Sequence, residues 1–120
     1  MKLKSSTGAE TIGDGAESEV FFVGHGVWSV YLAGDASAAT LTLKSCRRKD
    51  GTFLTYKPDV SGTATAQSFS ATHVADTSSM FQRSYVGGGM YFKFVDDGAG
   101  TGTSWQIDVN GNNVHPVPST

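Results

Sequence analysis

The chain is poor in the residues that announce chemistry. One cysteine, Cys46, stands among 120 residues, so no intramolecular disulfide can form. There are three histidines, His25, His73 and His115, and they are far apart, with no HxH or HxxxH pair. Zinc sites draw at least two ligands from one short segment, so this spacing argues against one. Excess charge is lacking too. Nine Lys and Arg against eleven Asp and Glu leave a net charge of −2. That gives no electrostatic reason to expect nucleic acid as a partner. Nor does any apolar run approach the roughly 18 residues that span a bilayer as a helix. The N-terminus, MKLKSSTGAE, has lysines but no apolar segment of the secretory kind. The expectation is a protein made in the cytoplasm, with no membrane and no nucleic-acid partner.

Catalytic signatures are equally scarce. Serines are plentiful, but none sits in GxSxG, and no Ser, His and Asp grouping follows from spacing. Gly87-Gly88-Gly89 lacks the lysine of a phosphate loop and precedes a strand pattern where a helix is required. Asp96-Asp97 is the only carboxylate pair, and glycines follow it. Calcium needs six or more oxygens, which a helix–loop–helix site spaces at alternate positions before a glutamate. Cys46 ends a strand pattern beside Arg47 and Arg48. No base is paired with it, so it reads as a small, half-buried side chain. The chain reads as a non-enzyme with no catalytic residue, no cofactor and no metal ligand.

What is present is glycine, threonine and aromatics: 15 Gly, seven Phe, four Tyr and two Trp, with 38% hydrophobic residues overall. That mixture favours short strands joined by tight turns. The stretch from Gly26 to Tyr56 shows it best. Trp28, Val30 and Leu32 alternate with Val27, Ser29 and Tyr31; after GDASAA, Leu41 and Leu43 alternate with Thr40, Thr42 and Lys44. An RRKDG turn then leads to Phe53–Tyr56. Side chains on a strand point to opposite faces in turn, so this period marks ribbons with one buried face. The stretch predicts three consecutive antiparallel strands, a meander. Further strands are expected over 19–23, 61–69, 81–86, 90–95 and 103–109, with Met90–Val95 pairing back on Phe81–Val86 across the triple glycine. Pro58 marks a strand end.

Turn signals recur about every 8–12 residues, which points to a sandwich or barrel. The predicted fold class is all-β: an antiparallel β-sandwich of seven or eight strands, jelly-roll-like, with an extended N-terminal arm. Residues 1–18 read as the arm, 19–112 as the sandwich and 113–120 as a proline-broken tail. The predicted inward set is Phe22, Trp28, Val30, Leu32, Leu41, Leu43, Phe53, Phe69, Phe81, Tyr85, Phe92, Phe94, Trp105, Ile107 and Val109.

Charge is segregated between two segments. Glu10, Asp14, Glu17 and Glu19 make the N-terminal segment acidic, and Lys44, Arg47, Arg48 and Lys49 make one hairpin tip basic. An acidic arm of one copy docking on the basic tip of another copy, or of a shell protein, follows as an expectation. The candidate contact residues are Lys2, Leu3, Lys4 and Ile12 from the arm with Lys44, Arg47, Arg48 and Lys49 from the tip. A different use of the surface, a row of outward tyrosines stacking on sugar, would draw on Tyr31, Tyr56, Tyr85 and Tyr91.

Several of these segments resemble small all-β virion proteins of tailed bacteriophages. The likeness lies in Gly26-Val27-Trp28, Leu41-Thr42-Leu43, Asp50-Gly51-Thr52 and Arg83 before Gly87, and it covers roughly residues 20 to 110. The resemblance is greatest to head decoration (cement) proteins. It implies a jelly roll or sandwich, many copies per particle, homo-oligomer contacts, a virion location and the major capsid protein or another virion protein as partner. The alternative is a carbohydrate-binding or receptor-binding sandwich module of a tail or fibre.

Overall fold

A computed structural model describes residues 6–36, 38–60, 63–74 and 80–117. Ten strands form two antiparallel sheets. The strands are β1 (Glu10–Ile12), β2 (Phe21–Val23), β3 (Gly26–Asp35), β4 (Leu41–Cys46), β5 (Leu54–Thr55), β8 (Ser68–Phe69), β9 (Phe81–Gly87), β10 (Met90–Asp96), β11 (Ser104–Gly111) and β12 (His115–Pro116). A separate two-stranded ribbon joins β6 (Asp59–Val60) to β7 (Thr63–Ala64). One sheet runs β1-β11-β3-β9; the other runs β12-β2-β10-β4-β5, with β8 also on β4.

The pairing has a simple logic. β1 pairs with β11, β2 with β10, β3 with β9 and β4 with β8. The chain is therefore one long antiparallel ribbon folded back on itself. Rolling that ribbon adds the pairs β3–β11 and β4–β10, and strands β1 to β4 and β8 to β12 alternate between the two sheets, while β4, β5 and β8 stay in one. This is a jelly roll, two Greek keys sharing one core. Strand alternation in the sequence marks each strand but names no partner; the ladders supply the order.

The alternation places the core well. Trp28, Val30 and Leu32 face inward from β3, Leu41 and Leu43 from β4, Phe92 and Phe94 from β10, and Trp105, Ile107 and Val109 from β11, all buried. Each such side chain removed from water stabilises by about 1.5–3 kcal/mol before entropy is counted. Between the sheets Trp28 sits 4.7 Å from both Tyr85 and Phe92, and Tyr56 stands edge-on to Phe92 at 5.0 Å.

Several expectations need correction. The expected meander from Trp28 to Tyr56 does not form. β3 and β4 lie in different sheets, and only β4 and β5 make a hairpin. Ala36 and Ala39, in the connection from β3 to β4, are buried, which a solvated hairpin loop has no cause to do. Likewise β9 and β10 do not pair across the triple glycine. Gly87, Gly88 and Gly89 all have positive φ (137°, 94° and 73°), and they carry the chain from one sheet to the other. A side chain at Gly88 would run into the Gly24 carbonyl oxygen.

Phe22 faces outward and Phe21 and Val23 inward, because Phe21 lies opposite Phe92 and Phe22 opposite Tyr91. Two adjacent phenylalanines fit either face in sequence; the register decides. Phe81 is half-buried against the core, whereas Phe53 is half-buried away from it, its ring centroid 5.0 Å from Lys93 Nζ.

The terminal boundaries also move. Of the expected arm, residues 6–18 lie on the sandwich: Thr7 N–H donates to the Val109 carbonyl at 2.9 Å, and β1 extends the four-stranded sheet as an edge strand. Ile12 is buried in the chain's own core, so it is not a contact for another subunit. Hydrophobic content alone missed this because backbone ladder bonds, not apolar bulk, hold the strand. At the other end Val114 is fully buried and β12 pairs with β2, so the tail belongs to the sandwich as far as residue 117.

Candidate functional site

Acidic side chains do most of the polar work inside this fold, and they do it on backbone. Asp96, 3% exposed, accepts from Trp105 Nε1 at 2.7 Å, Gly15 N–H at 2.8 Å and Gly98 N–H at 2.7 Å. Asp97 accepts from the Thr40 and Ala99 N–H groups at 3.1 and 3.0 Å. Asp14 accepts from the Gly102 and Thr103 N–H groups, both at 2.9 Å. The Ala99 and Thr40 N–H groups hold the Asp97 carboxyl below the usual aspartate range. Thr103, through its side chain and backbone, and the Gly102 N–H do the same for Asp14. These carboxylates tie three loops together. Among the described residues no group of three or more His, Cys, Asp or Glu could hold a metal ion.

Glu10 is a carboxylate that borders an open space. It stands on β1 opposite Ile107, two residues from Ile12, and so at a core-facing position of an edge strand. Its Oε2 accepts from the Glu19 N–H at 3.0 Å, clasping β1 to the segment that leads into β2 across the gap between the sheets. Beside it lies a space of about 190 Å³ bordered by Thr7, Ser18, Glu19 and Pro116, over the buried side chains of Phe21 and Ile107. Burial pushes the Glu10 carboxyl above the usual glutamate range; the Glu19 N–H opposes this, and the Glu19 charge adds to it.

Sequence reasoning counted Glu10 and Glu19 only as part of an acidic arm. The alternation E-T-I held the missing signal, since it puts Glu10 on the same face as Ile12 once that segment is a strand.

Among the described residues, Ile12 and the basic tip of the expected contact set lie in different sheets. Lys2, Leu3 and Lys4 lie outside the described residues. Arg47, Arg48 and Lys49 are exposed at the β4–β5 turn, while Lys44 sits half-buried on the outer face of β4, directly opposite Lys93. Lys93 is compensated: its Nζ lies 2.8 Å from Glu17 Oε1 and 5.0 Å from the Phe53 ring centroid. Glu17, Asp14 and Glu10 are thus engaged within their own chain, which removes the loose acidic arm expected to reach a neighbour.

The tyrosines do not form a row. Tyr56 and Tyr85 are core residues, and Tyr31 and Tyr91 lie on the outer faces of different sheets. Tyr91 meets Phe22 edge-on at 62°, with His115 tilted against Phe22, so this cluster offers no flat platform.

Among the described residues, no helix is long and apolar enough to cross a membrane. The chain matches no protein-family model and no curated protein.

Proposed function

We propose that the chain is a non-enzymatic structural protein of a phage particle, binding the assembled capsid shell as a decoration protein. The observation that supports this most is the basic tip. Arg47, Arg48 and Lys49 stand exposed on a short turn held by the β4–β5 ladder, and among the described residues none of them is in an ion pair. A cluster of uncompensated cations on a fixed turn is suited to an acidic protein surface. The particle context comes from the sequence resemblance, and the jelly roll agrees with it. A protein that binds the assembled shell and not its dispersed subunits stabilises the shell by its binding free energy.

A second surface suits contacts between copies. On the outer face of the four-stranded sheet Val27 and Val86 lie directly opposite each other, 64% and 79% exposed. The glycan-binding alternative draws less support, because its aromatics are buried or divided between faces.

The test is electron cryo-microscopy of particles assembled with and without the chain, with the triple variant Arg47→Glu, Arg48→Glu, Lys49→Glu as a third sample. The reading expects ordered density for the chain on the shell and its loss in the variant. Particles that lack the chain, or equal occupancy by the charge-reversed form, would refute it.

A further inference from the structure

Among the described residues the two sheets end on four edges, and three of them are guarded. β1 is three residues long with Glu10 turned inward, and β12 is two residues long and ends on Pro116. On the far side of β4, β5 and β8 are two residues each. Short strands, prolines and charges are how proteins protect an edge against stray pairing.

The fourth edge, β9, is built differently. It runs for seven residues, Phe81–Gly87, and contains no proline or lysine. It matches β3 one to one, from Gly87 opposite Gly26 to Phe81 opposite Leu32, so no bulge turns it away. Alternate residues of an antiparallel strand aim their N–H and C=O groups away from the partner. Among the described residues nothing but β3 hydrogen-bonds to the β9 backbone. Its outer-face side chains, Gln82, Ser84 and Val86, are exposed and uncharged. Arg83, its one charge, points inward and is already engaged. Its Nη1 donates to Gln67 Oε1 at 3.0 Å, and its guanidinium carbon lies 5.1 Å from the Phe69 ring centroid.

A second copy of the strand fits this edge. Run antiparallel about Ser84, β9 of one copy sets Gln82 opposite the second copy's Val86, and Arg83 opposite the second copy's Tyr85. No like charges meet on either face. A strand of another protein would have to supply that match, whereas a second copy has it by two-fold symmetry. We propose that two copies join edge to edge through β9, so that two four-stranded sheets become one of eight strands. The pairing supplies the contact between copies that Val27 and Val86 suit. It is independent of shell binding at the Arg47–Lys49 turn, so either can fail alone.

The test is sedimentation equilibrium of the full chain from micromolar to millimolar concentration, in reducing buffer because Cys46 is free. The mass should rise from 12.6 kDa toward twice that value. Gln82→Lys with Val86→Lys, and Gln82→Glu with Val86→Glu, set like charges opposite each other, and each double variant should associate at least about tenfold more weakly. Mixing the two variants should restore the dimer, because lysine then faces glutamate. Both positions are exposed, and circular dichroism checks that the variants fold. Amide hydrogen exchange on the unaltered chain carries the test without any variant: the outward amides of β9 should slow at high concentration and those of β1, β5 and β12 should not. A single-chain mass throughout, dimers that ignore both substitutions, or variants that stay apart when mixed would overturn the proposal. So would loss of the dimer in the Arg47→Glu, Arg48→Glu, Lys49→Glu chain, which places the contact at the basic tip instead.

Discussion

The two tryptophans offer a sharp test of the polar accounting in this core. Both are buried, Trp28 to 1% and Trp105 to 0% exposure. Trp105 Nε1 donates to Asp96 Oδ2 at 2.7 Å, whereas Trp28 Nε1 meets no acceptor among the described residues. Replacing either by phenylalanine removes the same volume, so the packing loss cancels in the comparison to first order. Trp105→Phe also strips from one oxygen of a buried carboxylate its only donor among the described residues, which costs about 1.5–3 kcal/mol. Trp28→Phe removes a donor that was buried unpaired and recovers part of a penalty of about 1–3 kcal/mol. Trp105→Phe should therefore be the more destabilising by about 3 kcal/mol. With a urea slope of about 1.5 kcal/mol/M, that is a gap of about 2 M between midpoints. The measurement is equilibrium urea unfolding of both variants, with unchanged slopes as the check that the denatured state is comparable. Pairing Trp105→Phe with Asp96→Asn in a double-mutant cycle isolates the contact itself. A gap under about 1 kcal/mol, or one of opposite sign, would refute the reasoning.

Four further outcomes follow from the same structure. Gly34 has φ of 123°, and a Cβ there would run into the Ser104 carbonyl oxygen on the neighbouring strand, so Gly34→Ala should cost about 3 kcal/mol in urea unfolding. Gly8, also at positive φ but with open space around it, should lose only about 1 kcal/mol as Ala in the same assay. Burial pushes the Tyr85 phenol up to about 12 from 10.0, and Tyr56 shifts the same way. A raised folded-state value means the stabilisation is complete below the unfolded value and is lost as pH rises through the folded one. Stability should fall between pH 10.0 and about 12, and Tyr85→Phe should flatten that fall in denaturation curves taken across the range. Asp14 and Asp97 have the opposite sense. Their lowered values mean stability is present above 3.8 and lost below it, so Asp97→Asn should reduce the acid slope measured by circular dichroism.

Much of the sandwich was legible in residue order alone. Alternation located the longer strands, and twelve of the fifteen residues predicted inward are buried. The three exceptions are instructive. Phe22 failed because Phe21-Phe22 satisfies both faces, and Phe53 and Phe81 because they sit where strands end. The site was far less legible. Glu10 looked like one more acid in a polar segment, and Asp14, Asp96 and Asp97 looked like solvated turns, although each holds backbone N–H groups of another loop.

The division has a physical cause. Which face of a strand is buried depends on neighbours two residues away, so the order of residues was enough to establish it. Which strand lies beside which depends on contacts between distant segments, as when Glu10 meets Ile107 or Trp105 meets Gly34. Only the rolled ribbon decided that β3 and β4, and β9 and β10, would part into opposite sheets, and that β1 would close an edge with Glu10 on its inner face.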